Sequence, residues 1–164
     1  MLRFATVLAI TVWIGGLVAL GAIAAPAIFE VVSLRQIPDA RMVSGAIFGE
    51  ILRRFHLVSY ACGGLILVSL AARAVLGPRP RRFSARFGLA ALMLAATLYS
   101  GLIISGSIER VQHAIGVGVA PSSLPAGDPR RTEFGRLHAQ SSMIQLVPLI
   151  GGVILMLFEL GDST

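Results

Sequence analysis

Residues 4–29 read FATVLAITVWIGGLVALGAIAAPAIF, a long apolar run in which no side chain is charged. Three further uncharged runs follow, Phe55–Ala72, Phe87–Ile108 and Leu137–Phe158. A helix rises about 1.5 Å per residue, so roughly 20 apolar residues cross the ~30 Å hydrocarbon core of a bilayer. The four runs therefore predict an all-α fold, an integral membrane bundle of four transmembrane helices.

The composition favours the same class. Of the 164 residues, 55% are hydrophobic and only 13% are charged, about half the charged fraction of an ordinary soluble domain. The net charge of +6 fits arginines beside anionic lipid headgroups, so the lipid bilayer and not nucleic acid is the expected partner. All 14 basic residues are arginine, which favours a GC-rich bacterial genome and an inner-membrane location. The lone cysteine, Cys62, excludes an intrachain disulfide.

The chain is predicted to form one domain over residues 1–164, with helices at about 4–29, 40–76, 86–114 and 132–160. Pro38-Asp39 is a helix-start signal. The residues that follow it are amphipathic, so we expect an amphipathic extension that runs into the second helix.

Topology is predicted from the segment Arg79–Arg86, which holds four arginines and no acid. By the positive-inside rule this loop is cytoplasmic, and both termini then lie on the cytoplasmic side. The other two connecting segments hold eight arginines but also six acids. Those segments are longer and partly helical, so the short basic loop is given more weight.

Small residues on the helices predict close helix contacts, because in lipid they let neighbouring backbones approach. Pro26 is expected to bend the first helix. The predicted packing residues are Trp13, Gly15, Gly16, Pro26, Gly151 and Gly152.

Polar residues at the predicted non-cytoplasmic end form a second group, here called the polar mouth. Its members are Arg54, His56, Glu109, Arg110, His113, Arg136, His138, Ser141, Ser142 and Gln145. Ionisable groups near a membrane usually face protein and pair with one another. The group therefore predicts either ion pairs that close the bundle or a pocket that admits a solute or lipid headgroup. Gln145 is expected to bond across to another helix.

The three histidines suggest a metal site as one alternative. Glu109 and His113 are four residues apart and share a helix face, so with His56 and His138 they are weak candidates for metal ligands or haem axial ligands. The other interpretation is that they are interfacial histidines, with His138 hydrogen-bonded near the end of the Glu109–His113 helix. No cofactor is expected, and because no catalytic motif is present, no catalytic residue is assigned.

Several motifs together resemble a known family. They are Trp13-Ile14-Gly15-Gly16, Ala25-Pro26-Ala27-Ile28-Phe29, Glu109-Arg110 and Phe134-Gly135-Arg136-Leu137-His138-Ala139-Gln140-Ser141-Ser142. This pattern resembles the transmembrane protein 205-like family of small four-helix membrane proteins, which implies that fold without a proven activity. In that family an Asn often follows the Ser pair, and Gln145 stands about there.

A more distant resemblance is to copper-resistance D-type proteins and haem-dependent protoporphyrinogen oxidases. Those families carry a His two turns before the Trp, where this chain has Thr6, which weakens the haem and copper interpretations. We therefore expect an integral membrane protein of unknown activity that handles a small molecule, lipid or metal at the polar mouth. The alternatives are an accessory or structural subunit of a larger membrane complex or homo-oligomer, and a haem-assisted oxidoreductase. An enzyme is the less favoured class.

Overall fold

The computed structural model describes residues 1–36, 39–77, 80–116 and 119–161, and within these ranges it contains helices but no strand. Four helical spans are long and apolar enough to cross a membrane. They cover Leu2–Leu34, Ala40–Leu76, Phe83–Ile115 and Pro129–Gly161. The predicted all-α class with four transmembrane helices is confirmed.

The first span is interrupted by a widened turn. It comprises α1 (Leu2–Ala19), a π-helical turn (Leu20–Ala24) and α2 (Ala25–Leu34). Pro26 has no N–H, so it cannot donate to the carbonyl four residues earlier. The N–H of Ala25 instead reaches back five residues to the carbonyl of Leu20. The span continues to Leu34 instead of ending at Phe29, because a helix need not stop where the hydrocarbon stops.

The second span is a single helix, α3 (Ala40–Leu76). The predicted amphipathic extension is thus the first part of this helix and not a separate element. Asp39 precedes it with a positive φ of 56°, and Pro38 lies outside the described residues. Pro78 and Arg79, part of the predicted basic loop, also lie outside them.

The third span again contains a π-helical turn. It comprises α4 (Phe83–Leu98), the π turn (Tyr99–Ile104) and α5 (Ser105–Ile115). Ser105 stabilises this turn with both of its donors. Its N–H and its hydroxyl both bond to the carbonyl of Ser100, the hydroxyl at 3.1 Å.

The fourth span consists of α6 (Pro129–Ile144) and α7 (Leu146–Gly161), and a short 3₁₀ turn (Pro121–Ser123) precedes it. Asp128 caps α6 by accepting a 2.8 Å bond from the N–H of Arg130. The hydrogen bonds from the Arg130 side chain and backbone lower the pKa of Asp128 to about 2. The helix is interrupted at Gln145, since Pro148 cannot donate to the carbonyl of Ile144.

Helices α1, α3, α4 and α7 pack around a common core, α1 on α3, α3 on α4, α4 on α7 and α7 on α1. Its largest fully buried apolar side chains include Ile10, Trp13, Ile66, Leu70 and Met93. We call this half of the molecule the closed end. The first and third spans begin at this end, and the second and fourth spans end there.

The opposite half, the open end, is organised as two helix pairs. Here α2 packs on α3 and α5 packs on α6, and extensive packing between the two pairs is not found among the described residues. The spans have 33 to 37 residues, or about 50–55 Å of helix, which exceeds the ~30 Å hydrocarbon core. Because Arg3 and Glu159 lie near the span termini of the closed end, the excess length projects beyond the hydrocarbon at the open end.

Candidate functional site

His56 lies in α3 with its imidazole inside the bundle, and the residue is only 4% exposed. Its Nε2 is 3.4 Å from Nε2 of Gln145 on the fourth span. The Gln145 amide donates to this nitrogen when the imidazole carries its own proton on Nδ1. A histidine and an amide that are far apart in sequence therefore meet in the interior.

Gly101, in the π turn of the third span, completes the surroundings of His56. A Cβ on Gly101 would come within 3.0 Å of His56 Cγ and would collide with the hydroxyl of Tyr60. The rings of His56 and Tyr60 stack with centroids 6.1 Å apart and planes inclined by 23°. The missing side chain is thus what allows both rings to lie against the backbone of the third span.

Two further contacts extend this polar region. The amide of Gln140 donates a 3.3 Å bond to the hydroxyl of Tyr99. Ser100 is 1% exposed, and its hydroxyl finds no hydrogen-bond partner within the described ranges. We call the whole set the polar layer: His56, Tyr60, Tyr99, Ser100, Gly101, Gln140 and Gln145.

The residues of the polar layer and the irregular turns of the third and fourth spans lie at similar depths in the bundle. His56 lies about 25 Å along its helix from Arg73 at the closed end, and Gln145 about 20 Å from Glu159. The π turn of the third span contains Gly101 itself. Departures from α geometry within helices occur frequently at functional sites. The polar layer therefore lies where two spans depart from α geometry, and beyond it the helix pairs separate.

The charged members of the predicted polar mouth do not meet in one site. Arg54 donates to Glu50 at 2.7 Å on its own helix, and Arg136 pairs with Glu133 at 3.0 Å, also on its own helix. Arg53 lies close enough to Glu109 for an electrostatic attraction between α3 and α5. The close ion pairs of Arg54 and Arg136 thus lie within single helices, while the attraction between Arg53 and Glu109 acts across the two helix pairs.

The rest of the predicted group is also dispersed. Arg110 donates to the carbonyl of Gly106 at 3.3 Å and to the Ser107 hydroxyl at 2.9 Å. Glu109 and His113 are exposed. Arg54, Arg110 and Arg136 thus find their partners about one turn away on their own helices.

His138, Ser141 and Ser142 lie in different environments. His138 is exposed and its ring stacks on Phe134, with centroids 6.2 Å apart, and among the described residues no hydrogen bond joins its ring to α5. The Ser142 hydroxyl bonds to the carbonyl of His138 at 3.0 Å. Ser141 is buried, and its carbonyl accepts the N–H of Gln145.

The weak metal candidates were His56, Glu109, His113 and His138. Among the described residues, no group of three or more His, Cys, Asp or Glu side chains converges in a way that could hold a metal ion. His56 is buried while the other three are exposed. These four residues are therefore not brought together as a ligand set.

The predicted packing residues divide into two classes. Trp13 is fully buried, and a Cβ on Gly152 would lie 2.6 Å from Ile14 and one on Gly151 2.8 Å from Met93. Gly16 packs against the ring of Phe55 in the same way. Gly15 and Pro26 are exposed, and a Cβ on Gly15 would meet open space. Gly15 is therefore not a close contact, since it points away from the ring of helices.

A cluster that the sequence interpretation missed lies at the closed end. Glu159 is 1% exposed, and it accepts from Arg86 at 3.0 Å and from Arg73 at 2.9 Å. Arg3 bonds to the Glu159 carbonyl and has its Nε 3.7 Å from the carboxylate. We call Arg3, Arg73, Arg86 and Glu159 the charge cluster. One signal was available, because a charged residue stands at or near this end of all four apolar runs.

The fold and the polar layer define a polytopic α-helical membrane protein with a buried polar region between its helix pairs. The family model described as a domain of unknown function (DUF4149) matches residues 8–116, which is more than half of the chain. The chain therefore belongs to that family. No curated protein and no solved structure matches it. The matched residues include His56, Tyr60 and Gly101 but not Gln145.

Proposed function

We propose that this membrane protein binds a small polar solute or a lipid headgroup at the polar layer, through the separation between the two helix pairs. The observation that carries the proposal is the contact of buried His56 with Gln145. Imidazole, amide, phenol and hydroxyl groups together offer both donors and acceptors. Such a set suits a polar ligand of either kind.

One feature supports a binding role over a purely structural one. Buried polar groups in native proteins are normally hydrogen-bonded, yet the Ser100 hydroxyl has no partner among the described residues. A ligand hydroxyl, amine or phosphate oxygen would supply that partner. Gly101 contributes by letting the Tyr60 hydroxyl and the His56 ring lie against the third span, next to Ser100.

The proposed location is the bacterial inner membrane, with both termini and the closed end in the cytoplasm. Arg73, Arg81, Arg82 and Arg86 support this orientation by the positive-inside rule. The polar layer would then open to the non-cytoplasmic side. Kinship with the transmembrane protein 205-like family is part of the proposal, supported by the Phe134–Ser142 motif.

Native mass spectrometry after gentle extraction tests the binding proposal. We expect the parent protein to carry a non-protein mass that Gly101→Ala loses, because the new methyl displaces Tyr60 and His56. Gly106→Ala is the matched control, since a Cβ there meets open space. A parent that carries only a stoichiometric protein partner would favour the accessory-subunit alternative. A ligand kept equally by both variants would place binding elsewhere.

Thiol accessibility tests the proposed entry route. In a Cys62→Ala background, His56→Cys should react with an impermeant cationic methanethiosulfonate added from the non-cytoplasmic side. Ser69→Cys is the control on the same helix, because Ser69 is 1% exposed and lies in the closed half. Equal lack of reaction at both positions would show that the polar layer is sealed, which contradicts the proposal.

A further inference from the structure

A pocket lies at the closed end, far from the polar layer. It has a volume of about 640 Å³ and lies between the start of α4 and the finish of α7. Its lining residues are Arg81, Arg82, Arg86, Leu157, Phe158 and Gly161. Half of these residues are arginines, and the others contribute an apolar wall.

The arginines of this pocket are held in place around one aromatic ring. The guanidinium carbons of Arg82 and Arg86 each lie 5.7 Å from the ring centroid of Phe158. Arg86 is 2% exposed and also donates to the Phe158 carbonyl at 2.8 Å. Stacking on an aromatic face orients a guanidinium and leaves its edge for other partners.

The described residues that line the pocket carry an excess of positive charge. Glu159 is the carboxylate nearest the pocket among the described residues with ion pairs, and it is already shared by Arg3, Arg73 and Arg86. Arg81 and Arg82 are exposed and form no ion pair with any described residue. Their positive charges are therefore not balanced by the charge cluster. A guanidinium fork matches the oxygens of a phosphate in a bidentate geometry.

The surroundings of the pocket resemble a lipid environment on one side. Leu157 and Leu160 on α7 are 62% and 56% exposed, and they lie beside the charged residue Glu159 at the end of the fourth span. An anionic lipid matches this arrangement, because its headgroup would contact the arginines and its acyl chains would contact the exposed leucines.

We propose that the pocket binds a phosphate group, carried by an anionic phospholipid such as phosphatidylglycerol. A free phosphate is the other source of the same chemistry. The proposal concerns the closed end only and does not depend on a ligand at the polar layer.

The test compares lipid retention in native mass spectra of the full-length protein. The probes are phosphatidylglycerol, phosphatidylcholine and inorganic phosphate, each added alone. The Arg81→Gln, Arg82→Gln double variant should retain phosphatidylglycerol about tenfold less, because charge-assisted hydrogen bonds of this kind contribute about that factor. Arg41→Gln at the open end is exposed and should retain it like the parent. Arg82→Lys keeps the charge and loses the fork, so its retention should be intermediate.

The outcomes separate the two sources of phosphate. Arginine-dependent retention of phosphatidylglycerol over phosphatidylcholine supports a lipid site. Arginine-dependent thermal stabilisation by inorganic phosphate alone supports the phosphate site with a soluble ligand. Equal retention of both lipids, or equal retention of phosphatidylglycerol by the double variant and the parent, would overturn the proposal. Folding of the double variant is checked by its melting temperature without added lipid.

Discussion

The two ends of the bundle use their charges in opposite ways. At the closed end, Glu159 is buried among guanidinium groups from the other three spans. At the open end, acids pair with arginines two to four residues away, as Glu50 does with Arg54. Ion pairs within one helix do not link different spans, whereas the charge cluster links all four spans. The closed end is therefore expected to carry the stability and the open end the freedom to separate.

The largest effect should come from the charge cluster. Glu159→Gln removes the carboxylate that Arg86 and Arg73 bond, and breaking a buried pair from one side typically costs about 3–5 kcal/mol. We expect a loss of this size in the free energy of unfolding, measured by denaturant titration in detergent. Glu50→Gln, in an exposed pair at the open end, should cost much less than Glu159→Gln, because exposed ion pairs contribute little to stability. Equal losses would contradict the contrast between the two ends.

Glycine contacts in the closed half should give the next largest effect. Gly152→Leu and Gly16→Leu place bulk against Ile14 and Phe55, and overpacking costs typically about 1–3 kcal/mol. Gly15→Leu, which points into open space, should stay within about 0.5 kcal/mol of the parent. Thermal melts of the three variants in one detergent compare them. If Gly15→Leu is as harmful as Gly16→Leu, the assigned faces of α1 are incorrect.

The histidines give a smaller contrast. His56→Ala removes the partner of Gln145 inside the bundle, so it should cost about 1–3 kcal/mol. His138→Ala removes an exposed ring from the open end, and we expect less than about 0.5 kcal/mol. Both values come from the same unfolding titration. A larger loss for His138→Ala would show that its ring has a partner that the contacts described above lack.

The smallest effect on stability is expected from two cysteine substitutions on the surface. They leave the fold unchanged and test the orientation of the protein in the membrane. In a Cys62→Ala background, Ser123→Cys should label with an impermeant maleimide outside intact cells, and Ser84→Cys should not. Ser123 belongs to the open-end connector and Ser84 to the start of α4. Labelling of Ser84→Cys alone would invert the molecule and place the open end in the cytoplasm.

Hydropathy predicts the four spans well because lipid demands long uncharged runs. It does not predict their full length, since α2, α5 and most of α6 project beyond the hydrocarbon, where polar residues are tolerated. It does not predict the two π turns either. Each of these turns adds a residue to the helix and rotates every side chain after it, so a face drawn from regular 3.6-residue spacing fails beyond that point.

The candidate site was predictable only in its central pair. His56 and Gln145 stand out as polar residues in or beside apolar runs, but Gly101 and Tyr60 carry no signal without the fold that places them together. Glu159 follows Phe158 directly, so in the sequence it only marks where the fourth uncharged run ends. In the sequence, a single acid at the end of a span resembles any other residue at a helix end. Only the structure shows that three arginines surround it.

The charge cluster also sets an order for assembly in the cell. Arg3, Arg73 and Arg86 are synthesised with the first three spans, and Glu159 is synthesised later, with the fourth span. The charge cluster can therefore form only after the fourth span has been synthesised and has packed against the other three. A chain truncated before Glu159 would therefore present these guanidinium groups without that carboxylate.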